Sequence, residues 1–339
     1  MRFARQQHGW QPARCFRRRA PRRAGGDVMI VAAGLTPAWQ QILVFDALRL
    51  GEVNRARQAV WCASGKVLNV GVALAHLGAA ARTVTLLGGP PRAAIKREFA
   101  EHGAELYAAE TKTATRVCTT VLDRATRQTT ELVENAAPAG VEELAAFKAI
   151  YRQAAADADI VVLTGSLTAG APSDTFADLL ADTPKACRAI LDVRGPELVA
   201  ALVRRPLLVK PNREELGATV GRTIATDEDC IAAARELCRR GAEWTLVTHG
   251  GGATLLVGES QEFRMVPPRV DAVNPIASGD CLAAGVASAY ASGRPMVEAV
   301  RYGMAAAANN VEALLPARLN RTRIDQLAVE VRIEALGDL

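Results

Sequence analysis

Aromatic residues make up only 4% of the 339-residue chain, and no apolar run reaches the ~20 residues that a helical membrane span needs. The sequence therefore argues against a membrane protein. Seven cysteines (15, 62, 118, 187, 230, 238 and 281) are odd in number and scattered, with no C-x-x-C pair. They indicate neither a disulfide framework nor a zinc ribbon, and they point to the reducing cytoplasm. The four histidines (8, 76, 102 and 249) lack metal-ligand spacing. The net charge of +5 is misleading, because residues 1–28 hold eight arginines against Asp27 alone, leaving the remainder at −2. The body is not a basic nucleic-acid binder. The segment 1–28 also lacks the apolar stretch of a secretory signal. It reads as a disordered basic extension or a mis-assigned start, since Met29-Ile-Val-Ala-Ala-Gly34 begins a buried strand at once.

Half the residues are hydrophobic, and alanine is abundant. Ile30–Gly34, Val84–Gly89, Asp159–Gly165, Ala189–Asp192, Leu207–Lys210 and Trp244–Thr248 are short apolar runs read as strands. Helical spacing over 69–77, 93–102, 141–156, 173–182 and 226–240 separates them. This alternation predicts one α/β domain over 29–339, with a mostly parallel sheet covered on both faces. Segments at about 37–62 and 110–135 alternate with period two around turns and read as two hairpins of a small β appendage or lid. In such sheets ligands sit at the C-terminal strand ends. Gly34, Gly88-Gly89, Thr164-Gly-Ser166, Asp192, Lys210-Pro-Asn212 and Thr248-His-Gly250 gather there.

The most informative stretch is Asp271-Ala-Val-Asn-Pro-Ile-Ala-Ser-Gly-Asp280-Cys-Leu-Ala-Ala-Gly285. Small residues Ala277-Ser278-Gly279 precede an acid that opens an apolar helix. Free N–H groups and the positive dipole end of such a helix make an anion site. A carboxylate beside a held phosphoryl group can take the proton of an attacking hydroxyl. An ordinary N-cap Asp after a glycine turn is the competing reading. Known nucleotide loops do not fit. Gly65-Lys66 has Val60 and Val67 where a Walker loop needs Gly and Ser or Thr, and Gly250-Gly-Gly252 lacks the G-x-G-x-x-G spacing.

Six ordered motifs, spanning Met29 to about Leu315, resemble the PfkB (ribokinase-like) carbohydrate kinase family, and within it the 1-phosphofructokinase and tagatose-6-phosphate kinase branch. They are Thr36-Pro-Ala with Leu50-Gly-Glu-Val-Asn-Arg55, Ser64-Gly-Lys-Val-Leu-Asn69, Thr115-Arg116, Gly165-Ser-Leu167, Lys210-Pro-Asn-Arg-Glu-Glu215 and Val273-Asn-Pro-Ile-Ala-Ser-Gly-Asp280. The resemblance implies a three-layer α/β/α core with a β-sheet lid and an ATP- and Mg²⁺-dependent phosphotransferase acting on a sugar hydroxyl. It implies Asp280 as base, with the N–H groups of Ala277, Ser278, Gly279 and Asp280 around the transferred phosphoryl.

By the same resemblance Lys66 and Arg116 take a phosphate already on the sugar, Asn69 and Gln40 take sugar hydroxyls, and Gly65 belongs to the same substrate site. Lys210 neutralises nucleotide phosphate, while Thr248, Gly250 and Gly252 line the nucleotide cleft with Asn309 near the adenine. Asn212 and Glu215 organise magnesium through water. The alternative for that pair is a helix capping box.

Departures fall on the substrate side. Gln40 stands where the branch has Asp, Ser64 and Val67 replace glycines, and Thr168-Ala169 replace prolines. Val67 predicts an altered substrate loop, because a β-branched residue resists a left-handed conformation. Ala277 replaces a glycine, a mild change if its φ stays negative. The expected substrate is a phosphorylated ketohexose of the fructose 1-phosphate or tagatose 6-phosphate type. An unphosphorylated sugar or nucleoside is the alternative, and a non-catalytic sugar sensor on the same fold is the third reading. A homodimer through the lid is expected, with no nucleic acid or membrane partner.

Overall fold

The computed structural model describes residues 28–338, so the basic segment lies outside the described residues except for Val28. β1 (Ile30–Ala33) opens the body, and β2 (Ala38–Phe45) and β3 (Gln58–Ser64) form the first hairpin. α1 (Lys66–His76), β4 (Ala81–Gly88), α2 (Pro91–Glu101) and β5 (Glu105–Thr111) return to the body. β6 (Arg116–Asp123) and β7 (Gln128–Val133) are the second hairpin. Helix and strand then alternate through α3 (Val141–Ala155), β8 (Ile160–Thr164), α4 (Thr175–Ala181), β9 (Arg188–Asp192) and α5 (Gly195–Ala201). β10 (Leu208–Val209), α6 (Arg213–Val220), α7 (Asp227–Arg239) and β11 (Trp244–Val247) continue the pattern. The chain closes with β12 (Thr254–Gly258), β13 (Gln261–Val266), α8 (Ser278–Ala291), α9 (Met296–Val311), α10 (Arg321–Ala328) and β14 (Arg332–Asp338).

Ten strands form the main sheet in the order β14-β13-β12-β11-β10-β9-β8-β1-β4-β5. The pairs from β5 through β11 are parallel, and those from β11 to β14 are antiparallel. Side chains alternate across a strand, so β1 divides between two cores. Ile30 and Ala32 face the one built with α1, α2 and α8–α10. Val31 and Ala33 face the other, built with α3, α4, α5 and α7. Both faces are covered, which is why the strands read as unbroken apolar runs. On the first face α8 and α9 pack backbone to backbone. A β-carbon added to Gly285 would stand 2.7 Å from the Cα of Gly303, so this pair of glycines fixes how close α8 lies.

The two hairpins share a second sheet, ordered β3-β2-β6-β7, in which β2 and β6 run parallel. Ile42, Cys62 and Leu122 bury its inner side against Leu314 and Leu315. Trp39 and Trp61 stack with ring centres 6.1 Å apart, and Trp61, Leu132 and Val133 remain exposed.

Candidate active site

The Asp-bearing stretch starts α8 through an unusual residue. Ala277 is its N-cap, with φ at +66°. The condition for a mild glycine replacement, a negative φ, is therefore not met. Holding a non-glycine residue there costs about 1–2 kcal/mol. Ala277→Gly should accordingly raise stability by up to about 1 kcal/mol, once the greater freedom of glycine in the unfolded chain is subtracted. A urea titration at neutral pH reads this directly. No side chain caps α8. Of its leading N–H groups, Ser278 donates to the Pro275 carbonyl at 3.3 Å and Asp280 to the Ala277 carbonyl at 3.1 Å. Among the described residues the Ala277 and Gly279 N–H groups find no acceptor, so the donor set open to an anion is narrower than four.

Asp280 is buried, and its Oδ2 accepts a 2.7 Å hydrogen bond from the Asn69 amide on the first turn of α1. Asn69 Oδ1 is also buried but has no donor. An unpaired buried acceptor costs about 1–3 kcal/mol, and a ligand hydroxyl at this spot removes that cost. Burial first, and then the negative charge of Asp192, push the Asp280 carboxyl up to about 7. Lys66, Asn69 and Lys210 oppose that rise and do not cancel it.

Asp192, at the end of β9, is the residue the sequence left without a role. Its Oδ1 takes Lys66 Nζ at 3.0 Å and Lys210 Nζ at 3.1 Å, and Thr164 Oγ1 donates to Oδ2 at 3.3 Å. Burial works against its charge, but Lys210 and then Lys66 hold it below the usual carboxylate range. For Lys66, burial works against the ammonium, while Asp192, Asp280 and Glu215 outweigh it and raise the group above its ordinary range. A carboxylate closing an apolar strand, Ala189-Ile-Leu-Asp192, was the available signal. A β-carbon on Gly279 would stand 3.4 Å from Lys210 Nζ, which places that ammonium beside the start of α8.

The sugar-side residues each have protein partners. Lys66 holds Asp192 and stands 4.0 Å from Glu215 Oε1. Arg116 donates to the carbonyls of Thr36, Pro37 and Glu134 at 3.2, 3.3 and 3.1 Å, so its fork faces backbone. Gln40 is buried on the lid and donates to Thr120 Oγ1 at 2.7 Å. Gly65 caps α1 at φ +83°, where a β-carbon would meet Ala38 N and Thr36 O at 2.9 Å. The backbone strain expected at Val67 is absent. Val67 lies buried in the first turn of α1, and only Gly65 in that loop has a positive φ. Neither α1 nor α8 has a side-chain cap, and the two starts meet through Asn69 and Asp280.

Two residues past Lys210 in the chain, Asn212 joins Gly217, Arg222, Ile224, Thr248 and Gly250 in lining a cavity of about 900 Å³. Asn212 and Glu215 form the capping box of α6: Glu215 N–H donates to Asn212 Oδ1 at 2.7 Å, and Asn212 N–H to Glu215 Oε2 at 3.0 Å. Gly252 donates its N–H to the His249 carbonyl at 2.7 Å and does not line this cavity. Asn309 is not among the residues lining this cavity, and its Oδ1 accepts the Asn320 N–H at 2.8 Å. Among the described residues no three His, Cys, Asp or Glu side chains cluster to hold a metal by themselves.

An α/β core with an uncapped helix start, a buried acid and two ammonium groups on one carboxylate suits a phosphotransferase with an alcohol acceptor. The chain belongs to the pfkB family of carbohydrate kinases, whose family model matches residues 29–322. It is 32% identical over 309 residues to the 1-phosphofructokinase of Rhodobacter capsulatus, covering 91% of this chain and 98% of that one. It is 30% identical over 278 residues to the 1-phosphofructokinase of Bacillus subtilis, covering 81% and 90%. The structure of phosphofructokinase-2 from Escherichia coli in complex with substrates and products matches with a TM-score of 0.81 at 25% identity, covering 90% of this chain and 99% of that one.

Proposed function

We propose that this chain transfers the γ-phosphoryl group of ATP to a primary hydroxyl of fructose 1-phosphate or a similar phosphorylated ketohexose. The observation that carries the reading is Asp280, buried and pushed up to about 7, at the start of an uncapped helix and tied to Asn69. In the proposed step the Asp280 carboxylate takes the hydroxyl proton, the hydroxyl oxygen bonds to the γ-phosphorus, and the bond to the β-phosphate oxygen breaks to release ADP. The free N–H groups of Ala277 and Gly279, with Lys210 beside them, hold the charge on the transferred group. Asn69 Oδ1 accepts a second sugar hydroxyl. The names of the curated relatives support the fructose 1-phosphate choice.

ATP occupies the cavity of about 900 Å³ that Asn212 helps to line, with Thr248 and Gly250 along its wall. Magnesium usually keeps several waters and takes one or two carboxylates plus nucleotide phosphates, so a pair of residues suffices. Because Asn212 Oδ1 and Glu215 Oε2 already serve the helix cap, the pair would hold the ion through water. When bound, the ion supplies charge neutralisation between the phosphates.

One observation favours a second reading, an unphosphorylated acceptor: Lys66 and Arg116 both have protein partners where a sugar phosphate would need them. A steady-state assay of ATP consumption with fructose 1-phosphate, tagatose 6-phosphate, fructose and ribose decides between them. Turnover with phosphorylated acceptors alone is expected. Turnover with free sugars alone would sink the phosphate-binding roles of Lys66 and Arg116, and sugar binding with no turnover would leave the sensor reading.

The lid excludes water from the transfer, so that ATP is not simply hydrolysed. We also propose that two lids pair in a homodimer, because Trp61, Leu132 and Val133 expose apolar surface there. Trp61→Asp combined with Leu132→Asp should halve the mass measured by light scattering and leave the main-domain fold intact. An unchanged mass would exclude lid pairing. A reducing cytoplasm suits the six described cysteines, all of which are free.

A further inference from the structure

The opposite end of strands β9 to β11 carries a second charged cavity. Its volume is about 430 Å³, and its lining includes Lys185, Arg188, Arg204 and Arg205, with Glu243 the one acidic residue among them. Small-molecule sites commonly occupy about 300–1,000 Å³. Arg188 pairs with Glu243. Among the described residues the side chains of Lys185, Arg204 and Arg205 have no ion-pair or hydrogen-bond partner. The Arg188 Nε is buried and lacks an acceptor.

The fold gathers these charges from separate segments. Arg188 begins β9, Lys185 lies in the turn before it, and Arg204 ends a short 3₁₀ turn after α5. Arg205 adopts φ +51°, a left-handed conformation uncommon outside glycine. Its turn brings two neighbouring arginines to the same mouth. Strand β9 bears Arg188 at its first residue and Asp192 at its last. The two sites are therefore separated by the length of that strand, about 13 Å at ~3.3 Å per residue. This cavity is not part of the cleft around Asp280.

We propose that the cavity binds a small polyanion, a compound carrying two or more phosphate groups. Arginine forks match phosphate oxygens bidentately. A single phosphate offers one set of oxygens, whereas two linked phosphates offer more acceptors to the Lys185, Arg204 and Arg205 side chains that line this one cavity. The Arg188–Glu243 pair sets the affinity, because Glu243 competes with the ligand for the guanidinium.

Isothermal titration calorimetry of the full chain with inorganic pyrophosphate, and separately with orthophosphate, tests this. Pyrophosphate should bind more tightly than orthophosphate. Lys185→Ala with Arg204→Ala should weaken pyrophosphate at least about 10-fold, and Glu243→Gln should tighten it several-fold. Lys96→Ala with Arg97→Ala, an equal loss of exposed charge on α2, should change nothing. Circular dichroism checks each fold, and Glu243→Gln keeps the test decisive should the double variant not fold. Equal affinity across all variants, or an equal loss in the α2 control, would overturn the proposal.

Discussion

Asp280→Asn should lower kcat about 10²–10⁴-fold, the usual contribution of a positioned general base. The substitution keeps the shape and the neighbours, so the protein should remain folded. The sugar KM should change little, because Asn69 Oδ1 stays free to accept a hydroxyl. The pH dependence carries a second signature. A base works only when ionised, and burial with Asp192 nearby pushes this carboxyl up to about 7. The wild-type rate should therefore fall as pH drops below about 7, and that limb should vanish from the residual activity of the variant. Stability should move in the opposite sense. A raised folded pKa favours the protonated form, so this contribution is full below the ordinary 3.8 and is lost as pH rises towards 7. Asp280→Asn removes the penalty of a buried charge, and above pH 7 it should be the more stable protein, by on the order of a few kcal/mol. Urea titrations at pH 5 and 8 measure the difference. A variant retaining full kcat would remove Asp280 from the chemistry.

Asp192→Asn should destabilise the protein by about 3–5 kcal/mol at neutral pH, the cost of breaking a buried ion pair from one side. Lys210 is as buried as Asp192, with side-chain exposures of 5% and 2%, so its ammonium would lose its counter-charge away from water. Lys66 is 38% exposed and can turn to solvent, which keeps the estimate at the scale of one buried pair. The sign against pH differs from that of Asp280. Lys210 and Lys66 hold Asp192 below its ordinary 3.8. Its stabilisation is thus present above that value and is lost as pH falls through the lower folded value. The gap between wild type and variant should persist at pH 5 and narrow only in stronger acid. Activity should fall too, since both ammonium groups beside α8 take their positions from this carboxylate. Chemical denaturation at pH 7 and pH 5 reads the effect, and a stability loss below about 1 kcal/mol would show that solvent screens the triad.

Asp280 and Asp192 differ in how far the chain discloses them. Asp280 could be read from the chain, because Ala-Ser-Gly-Asp before an apolar helix is a local pattern whose physics is local. Asp192 could not be assigned a role in the same way. Its partners Lys66 and Lys210 lie 126 and 18 residues away: the parallel pairing of β9 with β10 brings Lys210 beside it, and Lys66 arrives from the start of α1. The same limit explains Arg116. A Thr-Arg pair on a strand does not disclose the three backbone carbonyls that the fold sets around the guanidinium. Asn212 and Glu215 carried two readings in the sequence, and the capping box is formed. At the C-terminal end, β13 and β14 escaped the apolar-run criterion. Their residues are mixed in polarity, as suits antiparallel strands at the margin of a sheet.

The sequence alone determined the alternation of short apolar strands with amphipathic helices, and with it a covered parallel sheet, because burial on both faces requires that pattern. It also determined the start of α8 and the acid within it. Tertiary structure decided how those charges act. It set Asp280 between Asn69 and Asp192, turned Lys66 towards Asp192, and forced Ala277 to a positive φ. The reason is distance along the chain. Propensity and periodicity are properties of neighbours in sequence, whereas a shifted pKa, an orphan acceptor or a basic cavity depends on groups that meet only after folding.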